Sequence, residues 1–131
     1  MSFLVLGLAR SGRAAALALR RRGEEVIGVD ASPDTDVSRL AEAVELHLGT
    51  EEERLLDGVE TLIKSPGVPG EAPLVAAARV RGIPVWSELE LGSQLLGNPI
   101  VGVTGTNGKT TTSELLGVML GASVAGNVGR A

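Results

Sequence analysis

Residues 1–30 read MSFLVLGLARSGRAAALALRRRGEEVIGVD, and their pattern decides the fold class. A short apolar run at residues 3–7, FLVLG, reads as a strand. AAALALRRR follows as a helix that stops at Gly23, a suitable left-handed cap, and EEVIGVD reads as a second strand ending on an acid. A strand, a helix and a strand packed this closely imply parallel strands joined by a right-handed crossover.

The alternation continues along the chain. A short helix is expected over Val37–Ala43, then a strand in VELHLG and a polar helix from Thr50 to Asp57, followed by a strand in VETLIK. PLVAAARVR reads as a helix with Pro73 in its first turn and Gly82 just past its end, and IPVW reads as a fifth strand. SELELGSQLLGNP is a helix leading out of that sheet, with Ser87 as N-cap and Glu90 completing a capping box. The fold class is therefore α/β: a Rossmann-like parallel sheet with flanking helices.

Gly97, Asn98 and Pro99 mark a boundary, and beyond it PIVGV is a strand, TGTNGKT a loop and TTSELLGVML a helix. The expected organisation is a domain over residues 1–93 and the first βα unit of a P-loop ATP-binding domain over 94–131. A single six- or seven-stranded sheet is the alternative.

Composition narrows the function classes. Apolar residues make up 44% and charged residues 21%, a globular balance, while Phe3 and Trp86 alone are aromatic, so the core must be aliphatic. A net charge of −4 supplies no basic face for nucleic acid or an anionic membrane. Without cysteine, disulfide and thiolate chemistry are excluded, and a cytoplasmic location is expected because no basic residue precedes the first apolar run.

Three loops carry candidate chemistry. Gly7 to Gly12, GLARSG, is a G-x-A-x-x-G variant of the dinucleotide fingerprint, and Asp30 lies 18 residues past Gly12, where that fold places its ribose-binding acid. Ala9 puts a methyl where a pyrophosphate needs close backbone approach. The turn thus suits a nicotinamide cofactor, a nucleotide in another pose, or structure alone. KSPGVPG, residues 64–70, ends the fourth strand on the same sheet edge; it suits a ligand-facing loop or a plain connector. His47, the sole histidine, alternates with Leu46 and Leu48 as a strand residue turned to solvent.

The third loop is GVTGTNGKTTT, residues 102–112. Its glycines let backbone N–H groups converge on phosphates at a helix N-terminus. Lys109 would reach the β- and γ-phosphates of ATP, and the Thr110 hydroxyl would ligate Mg²⁺. A glycine-rich turn with a solvated lysine is the bland reading. Val103 stands where the common P-loop pattern has a glycine, so Gly105 takes the bend. Glu114 is the one acid after Glu90, and it leaves the loop without a second visible metal ligand; these residues alone are expected to turn over no ATP.

GVTGTNGKTTT, followed by GNVG at 126–129, resembles the ATP loop and the next motif of the Mur ligases, the amino acid ligases of peptidoglycan precursors. GLARSG, Asp30, SPGVP and SELEL are similar to the branch that adds D-glutamate to UDP-N-acetylmuramoyl-L-alanine; the alanine-adding branch and a non-enzymatic NAD- or ATP-sensing module are the alternatives.

The resemblance implies three domains, for the UDP of the precursor, for ATP and for the incoming amino acid, with this chain carrying the first and the front of the second. It places Arg10 and Ser11 by the UDP diphosphate, Asp30 by the uracil, Ser65, Pro66 and Gly67 around the nucleotide, and Asn127 on the substrate. Gly105, Thr106, Asn107, Gly108, Lys109, Thr110 and Thr111 match the ATP loop, with Lys109 and Thr110 as the catalytic pair and Thr110 on the metal. It also implies a monomeric full-length enzyme in which an acyl phosphate forms and the D-glutamate amine displaces phosphate. The family's remaining metal-binding residues are expected beyond Ala131. Ala31 and Ser32 stand where some relatives carry Thr-Arg, which removes that arginine's contact.

Overall fold

The computed structural model describes residues 1–96 and, later in the chain, Leu115, Leu116, Val118 and Met119, all four helical. Met1–Leu95 and Leu96–Ala131 are two compact units. The four helical positions lie inside the helix expected in TTSELLGVML; the phosphate loop and the strands expected around it lie outside the described residues.

In the first unit five strands form one parallel sheet: β1 (Ser2–Leu6), β2 (Glu25–Asp30), β3 (Glu45–Leu48), β4 (Thr61–Lys64) and β5 (Val85–Ser87). Their spatial order is β3-β2-β1-β4-β5. Helices α1 (Arg10–Arg21), α2 (Pro73–Val80) and α3 (Glu88–Leu95) flank it.

Both faces of the sheet are covered, which is why the central strand β1 reads as a continuous apolar run. Period-2 alternation divides β1 between two cores. Phe3 and Val5 join Ala16 and Leu19 of α1, with Leu40, Val44, Ile63 and Leu91, on one face. Leu4 and Leu6 join Leu55, Leu56, Leu62, Leu74, Val75 and Ala78 on the other. The two aromatic rings, Phe3 and Trp86, meet at a centroid distance of 6.5 Å in a tilted pair. The remainder of the core is aliphatic, as the composition requires.

The helix ends follow local signals. At the end of α1 the Gly23 N–H donates to the Arg20 carbonyl and Glu24 N–H to that of Leu19; α2 ends the same way, with Gly82 to Arg79 and Ile83 to Ala78. Both are Schellman motifs, with Gly23 and Gly82 at positive φ. The capping box of α3 is also present: Ser87 N–H donates to Glu90 Oε2 at 2.6 Å, and Glu90 N–H to Ser87 Oγ at 3.1 Å.

Two expected helices are replaced by tighter structure. Over 37–44 the chain makes two successive turns, with the Val37 carbonyl accepting from Leu40 and Ala41 and the Leu40 carbonyl from Ala43 and Val44. Burial of Leu40 and Val44 against the α1-side core holds these turns. Asp36 starts them by accepting the Ser38 N–H at 3.1 Å, and that hydrogen bond holds its carboxyl below the usual range. Thr50–Asp57 likewise forms only a 3-10 turn, Glu53–Leu56, because the adjacent Leu55 and Leu56 must both enter the core.

The core assignment predicts a sharp contrast in stability. Leu4→Ala, at a position with no exposed surface, should lower unfolding free energy by about 2–5 kcal/mol. Leu89→Ala, on a residue 70% exposed, should change it by no more than about 0.5 kcal/mol in the same denaturant titration.

Candidate functional site

The sheet reverses its winding at β1. α1 carries the chain from β1 to β2 over one face, and the return from β3 to β4 passes over the other, so the connections diverge above the C-terminal ends of β1 and β4. Ligands of open α/β sheets bind at such a point. A crevice of about 440 Å³ lies there, lined by Gly7, Ala9, Ser11, Asp30, Ser65, Pro66 and Gly67, with Ala31, Ser32, Glu51 and Val68 among its walls.

Three elements press together at its base. Gly7 leaves β1 at φ +91, a conformation L side chains rarely adopt, and its N–H donates to the Val29 carbonyl at 2.8 Å. A Cβ on Gly7 would meet Val68 Cγ2 at 2.8 Å and Ser65 Cβ at 2.9 Å. A Cβ on Gly12, in the first turn of α1, would stand 1.8 Å from the Gly7 carbonyl oxygen and 2.7 Å from Ser65 Oγ. The helix therefore begins in direct backbone contact with the strand end, the close packing attributed to the last glycine of the fingerprint.

That contact sets the helix start earlier than AAALALRRR suggests. α1 opens at Arg10 with Ala9 as its N-cap, and Ala9 has no side chain able to accept a hydrogen bond. The Arg10, Ser11 and Gly12 N–H groups have no backbone partner among the described residues. Unpaired amides and the positive end of the helix dipole suit an anion. Among the described residues no lysine or arginine lines the crevice, whereas Asp30 and Glu51 do; of the three residues with free amides, Ser11 lines it.

Asp30 acts as a clamp. Its Oδ2 accepts the Leu8 N–H and its Oδ1 the Ser32 N–H, each at 2.8 Å, which joins the glycine turn to the loop after β2. Each oxygen keeps a further lone pair for a ligand. Lys64 is engaged structurally: Nζ donates to the carbonyls of Val68 at 2.7 Å and Ser65 at 3.4 Å, folding the Ser-Pro-Gly loop back on its strand.

Ser65, only 4% exposed, places its Oγ 2.8 Å from the Gly7 carbonyl and 2.9 Å from Glu88 Oε1.

The crevice thus gathers Ser11, Asp30, Ser65, Pro66 and Gly67 from the sequence candidates. Arg10 heads α1 but is exposed and does not line it. His47 sits on β3 beside Glu45, at 2.7 Å, and likewise does not line it. Glu51, on a wall, and Glu88, which meets Ser65 from outside the crevice, were not legible in the sequence: Glu51 reads as one acid of a polar helix and Glu88 as an ordinary first-turn acid. Gly105, Thr106, Asn107, Gly108, Lys109, Thr110, Thr111 and Asn127 lie outside the described residues. Among the described residues no group of acids and histidine could hold a metal ion, and no helix is long and apolar enough to cross a membrane.

The sequence and the fold place the chain in a class of ligase N-terminal domains. The family model described as Mur ligase MurD-like, N-terminal domain, matches residues 1–87, and the chain belongs to that family. It is 42% identical over 139 residues to UDP-N-acetylmuramoylalanine--D-glutamate ligase of Bacillus velezensis, covering 98% of this chain and 31% of that protein. The Bacillus subtilis protein of the same name is 42% identical over 138 residues, covering 97% of this chain and 31% of its own length. The chain spans about three tenths of the length of these relatives.

Among solved structures it resembles a murein peptide ligase from Psychrobacter arcticus, with a TM-score of 0.66 and 25% identity over 92% of this chain and 26% of that one. UDP-N-acetylmuramate-alanine ligase from Thermotoga maritima, with a TM-score of 0.63 and 24% identity over 92% of this chain and 29% of that one, shares the fold.

The glycine contacts make a paired prediction. Gly12→Ala forces a methyl into the Gly7 backbone and should destabilise by about 1–3 kcal/mol or more. Gly67→Ala, where a Cβ meets nothing within 4 Å, should shift stability by no more than about 0.5 kcal/mol. Parallel denaturant melts of the two variants provide the check.

Proposed function

We propose that the first unit binds the UDP portion of a peptidoglycan precursor, UDP-N-acetylmuramoyl-L-alanine, as part of an ATP-dependent ligase that adds D-glutamate to it in the cytoplasm. The observation that carries this reading is the uncapped start of α1 opening on the switch-point crevice, in a chain 42% identical to D-glutamate-adding ligases. In it, the free amides of α1 face the diphosphate, with Ser11 beside them and Arg10 supplying long-range charge from the rim. Asp30 offers its remaining lone pairs to the ribose or base, and the loop Ser65–Gly67 closes over the nucleotide.

The same reading gives Gly105 to Thr111 to ATP, with Lys109 at the phosphates, Thr110 on Mg²⁺ and Asn127 on the precursor. Lys109 would hold the phosphates and Thr110 the Mg²⁺, which would supply charge neutralisation as the γ-phosphoryl group passes from ATP to the precursor's carboxylate, releasing ADP and giving an acyl phosphate. D-glutamate, whose amine would displace phosphate, is assigned to a further domain of the whole enzyme.

The nucleotide reading is tested by thermal shift on the 131-residue chain. UDP and the UDP-muramoyl precursor should raise the melting temperature, and NAD should not. Stabilisation by NAD with none from UDP compounds would favour a nucleotide-sensing module instead. For the ATP loop, the 131 residues by themselves should show no steady-state ATP turnover; an ATPase activity abolished by Lys109→Ala would contradict this.

A further inference from the structure

Ser65 is one of two buried polar residues in the described core, and its hydroxyl is contested. Serine carries one hydroxyl proton, yet both neighbours of Oγ are acceptors: the Gly7 carbonyl at 2.8 Å, 58 residues away in sequence, and the Glu88 carboxylate at 2.9 Å, 23 residues away. A charged acceptor draws a hydroxyl more strongly than a neutral carbonyl does. The side chain that floors the crevice is therefore oriented from outside it, because Glu88 does not line the crevice.

We infer that Glu88 is a positioning residue: by holding the Ser65 hydroxyl it sets the side chain against which the glycine turn and the start of α1 pack. The fit there leaves little room for another orientation, since Ser65 Cβ lies 2.9 Å from where a Gly7 methyl would be and Ser65 Oγ lies 2.7 Å from a Gly12 methyl. Glu88 is not needed to begin its own helix, because Ser87 and Glu90 already complete the capping box. Its carboxylate is free to serve Ser65. The start of α3, the last helix of the first unit, is thereby tied to the geometry of the nucleotide turn.

The test compares wild type, Ser65→Ala, Glu88→Ala, the double variant and Glu88→Gln in the 131-residue chain. The first readout needs no ligand: amide hydrogen exchange at Leu8, whose N–H is held by Asp30, and at Val68, whose N–H is held by the Ser65 carbonyl. Glu88→Ala should speed exchange at both by about tenfold, the effect of losing one hydrogen bond. Glu88→Gln should restore it, because its amide can donate to Ser65 Oγ while the hydroxyl donates to Gly7. In the Ser65→Ala background Glu88→Ala should add nothing.

The second readout is UDP affinity by calorimetry, which rests on the nucleotide reading and should fall about tenfold in Glu88→Ala and recover in Glu88→Gln. Unchanged exchange in Glu88→Ala, or an equal effect with and without the Ser65 hydroxyl, overturns the inference. Equal exchange in Glu88→Gln and Glu88→Ala overturns it even where Ser65→Ala does not fold. Failure of wild type to bind UDP would sink the nucleotide reading and leave the exchange data to judge Glu88.

Discussion

The contact on which the first unit turns is the approach of Gly12 to the Gly7 carbonyl, at a separation with no room for a single methyl group. It joins the start of a helix to the end of the central strand, and Ser65, just past β4, closes it with Oγ 2.8 Å from the same carbonyl. These elements meet where the winding of the sheet reverses, so close backbone packing lies at the base of the crevice. Rigidity and accessibility are thereby placed side by side, as a preorganised binding site requires.

Charge gives the crevice its character. Among the described residues its lining carries two acids and no base, and Lys64 is occupied in holding a loop. Unpaired amides of α1 oppose this acidity. On the proposed reading, a nucleotide diphosphate would present negative charge at one point and hydroxyl and N–H donors elsewhere. A carboxylate near the donors and a helix start near the phosphates would serve both ends.

Much of the architecture was readable before any coordinates. The apolar run of β1, the glycines closing α1 and α2 and the Ser87/Glu90 box are local signals, each written within a few residues. The elements misread were those whose form depends on distant partners. Val37–Ala43 has helix-forming residues but is shaped by where Leu40 and Val44 must be buried, and Thr50–Asp57 by the pair Leu55–Leu56. At the site, GLARSG, Asp30 and the Ser-Pro-Gly loop stood out because glycine, proline and an acid at a strand end are distinctive. The tie between Ser65 and Glu88 did not, because nothing local marks two polar residues 23 positions apart as neighbours.

The uncapped start of α1 also bears on the conditions under which the crevice works. Its donors are backbone amides, which neither gain nor lose a proton anywhere in the range where proteins stay folded. An anion held there is gripped as firmly in mild acid as in mild base, so any change of affinity with acidity must originate in the ligand or in the carboxylates around it.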